Sequence, residues 1–412
     1  MKPIKPITLW LDYTLIVVLF QFTLVPFWFG NRYVDLVLFL FITFVFIYRV
    51  GLSKINYKIG VLFFIHLTLA LAQGYYWDYS ILSIFTSFSF LVLSTYFLWE
   101  IYGRRFFELF EQVFRIFAII SFAFWVGIQV SPLIKEFVNG GVLWLFQYSG
   151  DEWPRSLIFV THWYTLDDFA LGLTRFSGPL HEPGGFVALL ILLLSYNFSR
   201  GEKLTSLKNL FYSLCVLTTF STAGYLSFFL VLVVFIGRNR YQFVRVLAII
   251  FILIVSVYSY KNIDFLGDKI SSQIEEQSEK QLNETTSGRF YGLRKSLYVA
   301  FKYPLIGRGI NTVSLPENRN DPEYLGYGWF SIVFRYGLVF GLLYIFYFSK
   351  GFISFFRQAN CSFFSSSLFL AATLINLSSQ VYLGKPMFFM FFIMGIGIIP
   401  LKNRLFVKAQ QG

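Results

Sequence analysis

Long apolar runs separated by short polar clusters dominate this chain. A helix that crosses a bilayer needs roughly 17–25 mainly apolar residues. Runs approaching that length lie near 9–27, 34–48, 59–76, 80–99, 113–130, 185–198, 209–221, 222–236, 244–260, 328–348, 363–381 and 386–400. Residues 209–236 read as two spans, because the small polar cluster Ser221-Thr222-Ala223-Gly224 at the centre resembles a tight turn. The pattern predicts an all-α polytopic membrane protein of about twelve transmembrane helices. It forms a single integral membrane domain over 1–412, with two large extracytoplasmic loops, 131–184 and 261–327, that carry short amphipathic helices.

Composition agrees with the pattern. Charged residues make up 14% of the chain, against about 25% in soluble domains, and the mean hydropathy is +0.63. A net charge of +12 raises nucleic acid as a partner, but the basic residues sit in short loops between apolar runs. That distribution is an orientation signal and not a binding stripe, so no nucleic acid is expected. Lys2, Lys5, Arg49, Lys54, Lys58, Arg104, Arg105, Arg115, Arg200, Lys203, Lys208, Arg238, Arg240, Arg245, Lys350, Arg357, Lys402, Arg404 and Lys408 fall on one side, and short loops on the other hold only Arg32 and Lys385. Both termini are therefore expected on the cytoplasmic side, with the chain passing repeatedly through the membrane. No cleavable signal peptide is expected, since the first run is long enough to span and lacks a small-residue cleavage site. Trp10 and Trp28 bracket the first run, and Trp77 and Trp99 lie near the ends of the third and fourth, as interfacial anchors do. Cys215 and Cys361 offer no disulfide framework. His66, inside the third run, reads as a buried hydrogen-bonded histidine and not as a proton relay.

The chemistry concentrates at Arg175-Phe-Ser-Gly-Pro-Leu-His-Glu-Pro-Gly-Gly, which runs straight into the apolar segment 186–198. Pro183 suits a first helical turn, and a helix start favours anions. Arg175, His181 and Glu182 are thus held at the membrane boundary, either as a site or as a polar loop at the headgroups. The first large loop also carries Trp163, Tyr164, Asp167 and Asp168. Aromatic faces beside carboxylates suit sugars, through ring stacking and hydroxyl hydrogen bonds; an amphipathic loop resting on the membrane is the other reading. The adjacent pair Asp167-Asp168 is too weak a signal for a metal, and neither metal nor cofactor is expected.

The second loop opens on a very polar stretch, 271–288, and then changes character. Phe290, Leu293, Leu297 and Phe301 recur at helical spacing and predict one apolar face. Arg289, Lys295 and Lys302 flank it, and Arg294 lies at its edge. Pro304 ends the helix, and Gly307-Arg308-Gly309 sets a further guanidinium between glycines. This is no dinucleotide fingerprint, because no strand precedes it. A basic helix resting on anionic lipid is the plain alternative. Arg175, Arg289, Arg294 and Arg308 nevertheless share one side and one depth, and planar guanidiniums pair phosphate oxygens in twos. Together with the aromatic and acidic loop they suggest a sugar carried on a lipid diphosphate.

Several motifs carry a family resemblance. Arg175-x-Ser-Gly-x-x-His-Glu-Pro-Gly184, Ser221-Thr-Ala-Gly224, Ser287-Gly-Arg-Phe290, Tyr303-Pro-Leu-Ile-Gly-Arg-Gly309 and the glycine-rich run 328–348 resemble the O-antigen polymerase (Wzy-type) and ligase superfamily. The resemblance covers roughly 170–350 by motif. In the ligases and many relatives a His-Asn pair precedes the glycine-rich run; here Gly326-Tyr327 stands in its place, which weakens the ligase reading and leaves no histidine base there.

The resemblance implies an inverting glycosyltransferase that joins undecaprenyl-diphosphate-linked repeat units on the periplasmic side of the inner membrane. Its partners would be the lipid-linked oligosaccharide donor and acceptor, membrane lipid and a chain-length regulator protein. Arg175, Arg289, Arg294 and Arg308 would bind the diphosphate, Trp163, Tyr164 and Asp167 the sugar, and Glu182, His181 or Asp168 would act as base. An O-antigen ligase of the same superfamily is one alternative. A lipid-linked oligosaccharide flippase is another, although no internal repeat of the transporter kind is visible.

Overall fold

A computed structural model of the chain describes residues 10–17, 32–51, 55–78, 80–103, 105–134, 155–157, 161–163, 173–180, 182–237, 289–309, 328–378, 383 and 385–399. The body is helical. It comprises α1 (Arg32–Arg49), α2 (Tyr57–Trp77), α3 (Ile81–Tyr102), α4 (Arg105–Val130), α5 (Pro183–Ser199), α6 (Leu207–Thr218), α7 (Thr222–Gly237), α8 (Arg289–Lys302), α9 (Phe330–Gln358), α10 (Phe363–Leu377) and α11 (Pro386–Gly395). By length and composition α2, α4 and α9 are long and apolar enough to cross a membrane, and α5, α6, α7, α10 and α11 are shorter apolar helices. The all-α polytopic membrane class holds. One element departs from it: β1 (Arg155–Leu157) and β2 (Thr161–Trp163) pair antiparallel, Arg155 opposite Trp163, where the first loop was expected to carry a short helix.

The centre of the bundle is α5. All its residues from Pro183 to Ser199 are buried, as befits a helix apolar on every side. It packs against α6, α7 and α10. The tightest helix pair is α9 with α11, where Gly351 and Gly395 meet: a Cβ on Gly351 would overlap the carbonyl of Phe391, and one on Gly395 that of Tyr347. Small residues at such a crossing let two membrane helices gain dispersion contacts along their backbones.

Hydrogen bonds define the two ends of the bundle. At one end the side chain of Asn56 donates to the carbonyl of Ile398 (2.7 Å) and Lys58 Nζ to that of Gly397 (3.0 Å). The same end gathers the charges. Asp12 pairs with Arg49 and Arg105, Glu108 with Arg200, and Lys208 with Glu202 and Glu111. The Tyr212 hydroxyl also donates to Glu111, at 2.9 Å. Of the basic residues read as one-sided in the sequence, Arg49, Lys58, Arg105, Arg200 and Lys208 therefore converge at this end. At the other end lie the C-termini of α2, α4 and α6 and the starts of α5, α7, α9 and α11.

Several boundaries differ from the sequence expectation. The fifth run begins at Arg105 and not at 113, because Phe106, Phe107 and Phe110 are buried while Glu108 and Glu111 find basic partners. The run 328–348 extends to Gln358, carrying Lys350 and Arg357 within the helix. The split inside 209–236 is as expected, with Phe220 in the left-handed region (φ 48°) between α6 and α7. Trp99, expected at the interface, is buried. His66 is buried as expected, stacked on Phe88 at 3.7 Å and hydrogen-bonded to the Ile84 carbonyl at 3.4 Å. Helix α8 matches its expected extent, but its inward face is Ser296 and Ala300, both 0% exposed, while Phe301 is 67% exposed. In a bilayer small residues suit the protein-facing side, since lipid solvates a phenylalanine as well as a core does. The expected span 244–260 and the polar stretch 271–288 lie outside the described residues.

Candidate functional site

Two structures stand at the end of the bundle away from the charge network. The first is the mount of Arg175. Its Nε donates to the Thr219 carbonyl (3.2 Å), and the Phe176 amide donates to that of Thr218 (3.1 Å). Both carbonyls end α6, where unsatisfied oxygens and the partial negative charge of the helix terminus attract a cation. Ser221 then starts α7, its hydroxyl accepting from the Gly224 amide at 3.2 Å. Behind Arg175, Thr174 is tied to α4. Its carbonyl accepts from Trp125 Nε1 (2.9 Å), and its hydroxyl and amide bond both ends of the Gln129 amide. Arg175 is therefore fixed at the junction of α4, α6 and α7. Glu182 is the N-cap of α5 but does not use its side chain to cap it; Pro183 follows in the first turn, as the sequence suggested.

The second structure is a broken helix. At Gly337 the backbone of α9 leaves the helical region (φ 82°, ψ 171°). The turn 303–309 fills the gap. The amide of Arg308 donates to Phe334 O (2.8 Å), that of Gly309 to Arg335 O (3.0 Å), and that of Val339 to Pro304 O (3.0 Å). Gln73 of α2 completes the repair, its Nε2 donating to Ile306 O (2.6 Å) and Arg335 O (2.7 Å). Non-helical backbone at membrane depth persists only where such groups are paired inside the protein. The fit needs glycine on both sides: a Cβ on Gly307 would overlap the Gly337 amide, and one on Gly337 would sit 2.6 Å from Pro304 O.

Arg308 rides on this turn. Its guanidinium lies over the Trp77 indole at 4.5 Å from the ring centroid, and Trp77 Nε1 donates to the Gly307 carbonyl at 3.0 Å. Tyr303 closes against the same indole, edge to face at 4.8 Å. A cation–π contact orients a guanidinium while leaving its charge uncancelled. Trp77, read as an interfacial anchor, thus acts as a platform.

The expected site residues are placed unevenly. Arg175, Glu182 and Arg308 stand at the same end of the bundle, Arg175 on the α6–α7 junction and Arg308 on the α2–α9 side. Arg289 and Arg294 lie on α8, which packs on α9, and only their backbone positions are described. The same holds for Trp163 at the end of β2. His181, Tyr164, Asp167 and Asp168 lie outside the described residues. Among the described residues no cluster of histidine, cysteine and carboxylate side chains could hold a metal.

Sequence reasoning missed Arg335. It occupies the first part of α9, two residues before the break, and it stood inside a run read only as a glycine-rich span. An arginine within an expected span was the available signal, since charge at that depth is costly and marks function by default.

The chain is therefore a polytopic helical membrane protein with a repaired helix break and oriented arginines at one end of the bundle. Residues 207–349 match the family model described as O-antigen ligase. The match spans α6 to the middle of α9, roughly a third of the chain, and includes Arg289, Arg308 and Arg335 but not Arg175. It supports the superfamily of O-antigen polymerases and ligases, glycosyltransferase-like enzymes of polysaccharide assembly. No curated protein matches the chain.

Proposed function

We propose that this protein is a polysaccharide polymerase of the Wzy type. It joins undecaprenyl-diphosphate-linked repeat units on the periplasmic face of the bacterial inner membrane. The observation that carries this reading is the gathering of Arg175 and Arg308 at the end of the bundle opposite the neutralised ion pairs. That opposite end, with Arg49, Lys58, Arg105, Arg200 and Lys208, faces the cytoplasm in this reading, following the positive-inside rule.

In the proposed reaction the acceptor sugar hydroxyl attacks the anomeric carbon of the growing glycan from the face opposite its diphosphate. A new glycosidic carbon–oxygen bond forms with inversion, and the carbon–oxygen bond to the diphosphate breaks. Undecaprenyl diphosphate leaves with the bonding electrons. Arginines held at the boundary stabilise the charge that develops on it. Glu182 receives the hydroxyl proton, with His181 and Asp168 as the other bases. Arg289 and Arg294 complete the diphosphate set, and Trp163, Tyr164 and Asp167 hold the sugar. A chain-length regulator protein belongs to this reading as a partner.

A ligase is the second reading, favoured by the description of the matched family, with a lipid A core in place of the lipid-linked acceptor. Gly326-Tyr327, standing where that group carries His-Asn, supports the polymerase. The purified protein, given lipid-linked repeat units alone, should make lengthened glycan. Transfer only on addition of lipid A core would instead establish the ligase, and no transfer to either acceptor would remove both.

A further inference from the structure

We infer that the break in α9 is an anion seat and that Arg335 binds the diphosphate of the lipid-linked substrate there, beside Arg308. The inference rests on the glycosyltransferase reading above and adds to it a half-buried residue within a membrane helix.

Three observations carry it. Arg335 and Arg308 are joined through the backbone: the carbonyls of Phe334 and Arg335 accept from the amides of Arg308 and Gly309 at 2.8 and 3.0 Å. Two guanidiniums are thus attached to one rigid knot. Neither has an acidic partner among the described residues. Asp12, Glu108, Glu111 and Glu202 are all committed to basic side chains at the far end. Among the described residues no ion pair joins Asp78, next to Trp77 in the chain, to either guanidinium. Lastly, Arg335 is half-buried and stands over a full helical turn beyond the helix start at Phe330. A cation at that depth calls for a counter-ion. Among the described residues, hydrogen bonds serve the backbone of the break, but no negative charge faces its two cations.

The chemistry selects the ligand class. Two forked donors on backbone segments paired to each other suit a ligand with two adjacent tetrahedral anions, since each guanidinium can bond one phosphate bidentately. An isoprenoid diphosphate at the membrane boundary has this form. A phospholipid monophosphate shares the chemistry with half the charge.

The test uses the full-length protein in detergent, with undecaprenyl diphosphate as probe and affinity read by titration calorimetry. Arg335→Gln should weaken binding at least tenfold. Arg335→Lys should weaken it about threefold to tenfold, because an ammonium lacks the fork. Lys58→Gln, which removes equal charge at the other end, should stay within twofold. Phosphatidylglycerol vesicles at equal headgroup concentration should not displace the probe. Wild-type affinity in Arg335→Gln would overturn the inference while leaving the polymerase reading intact. Full displacement by phosphatidylglycerol would do the same, reducing the seat to a general lipid contact. Should Arg335→Gln fail to fold, Arg335→Lys decides: unchanged affinity overturns the inference and reduced affinity sustains it. If the wild type does not bind the probe, the inference falls; it falls together with the glycosyltransferase reading only if the protein also transfers no glycan.

Discussion

The amide of Arg308 donates to the carbonyl of Phe334 at 2.8 Å, across a place where α9 cannot make that bond itself. Helix α9 breaks three residues later, and a turn from another part of the chain supplies the missing donors. The residues nearest the proposed chemistry are therefore held by backbone pairing rather than by side-chain packing. Backbone pairing confines them more tightly than a surface loop would.

Gly337 is the first test of this arrangement. Its φ of 82° disfavours any side chain, and a Cβ would sit 2.6 Å from Pro304 O. Strain of this kind costs about 1–3 kcal/mol before the clash is counted. Gly337→Ala should lower the thermal midpoint of the detergent-solubilised protein by several degrees and abolish glycan transfer. A wild-type midpoint with full activity would show that the break does not need a left-handed residue.

Arg175 tests the diphosphate assignment. Its Nε bond to Thr219 O is a helix-end contact worth about 0.3–1 kcal/mol, too small for its loss to unfold the protein. Arg175→Ala should insert at normal levels yet produce no polysaccharide ladder in a strain lacking its own polymerase. Arg175→Lys should restore only part of the ladder, since the fork is lost. A full ladder from Arg175→Ala would take Arg175 out of the mechanism and leave it as a cap on α6.

Glu111 provides the contrast at the opposite end. Its side chain is only 9% exposed and accepts from the Tyr212 hydroxyl at 2.9 Å, with Lys208 at 3.4 Å. Glu111→Leu leaves the buried hydroxyl without an acceptor, at a cost of about 1–3 kcal/mol. The thermal midpoint should fall while affinity for undecaprenyl diphosphate stays within twofold. A matching loss of affinity would mean that the two ends are coupled.

Orientation is checked with short epitope insertions at exposed positions. Lys203 and Asn360, at the charge-network end, should be reached only after the inner membrane is permeabilised. Asp78, beyond Trp77, should be reached from the periplasm. Gly351 is unsuitable for such an insertion, being buried against Phe391 inside α9. A periplasmic signal at Lys203 would invert the topology and place every candidate arginine in the cytoplasm.

Much of the helical body was legible in the residues, because bilayer solvation is a one-dimensional constraint. A run such as 185–198 must be helical to pair its own backbone, whatever surrounds it. The turn at Ser221 was legible for a similar reason: small polar residues at mid-run are local signals. Arg175 and Arg308 could be picked out by residue type, but their mounts could not. Gln73 and Trp77 lie more than two hundred residues from the groups they serve, and Gly337 about thirty from the turn it admits, and nothing in their own neighbourhoods marks these pairings. The apolar periodicity of α8 did not say which way it faced: Ser296 and Ala300 point inward and Phe301 outward, because apolar side chains suit lipid as well as protein in a membrane. Arg335 was visible as a charge inside an apolar run, yet its meaning required the break beside it. That break exists only through the turn 303–309 and the side chain of Gln73, which arrive from elsewhere to pair carbonyls a continuous helix would have paired itself. Local sequence dictates where a membrane helix can run; whether its backbone can open depends on donors that only the folded chain brings to it.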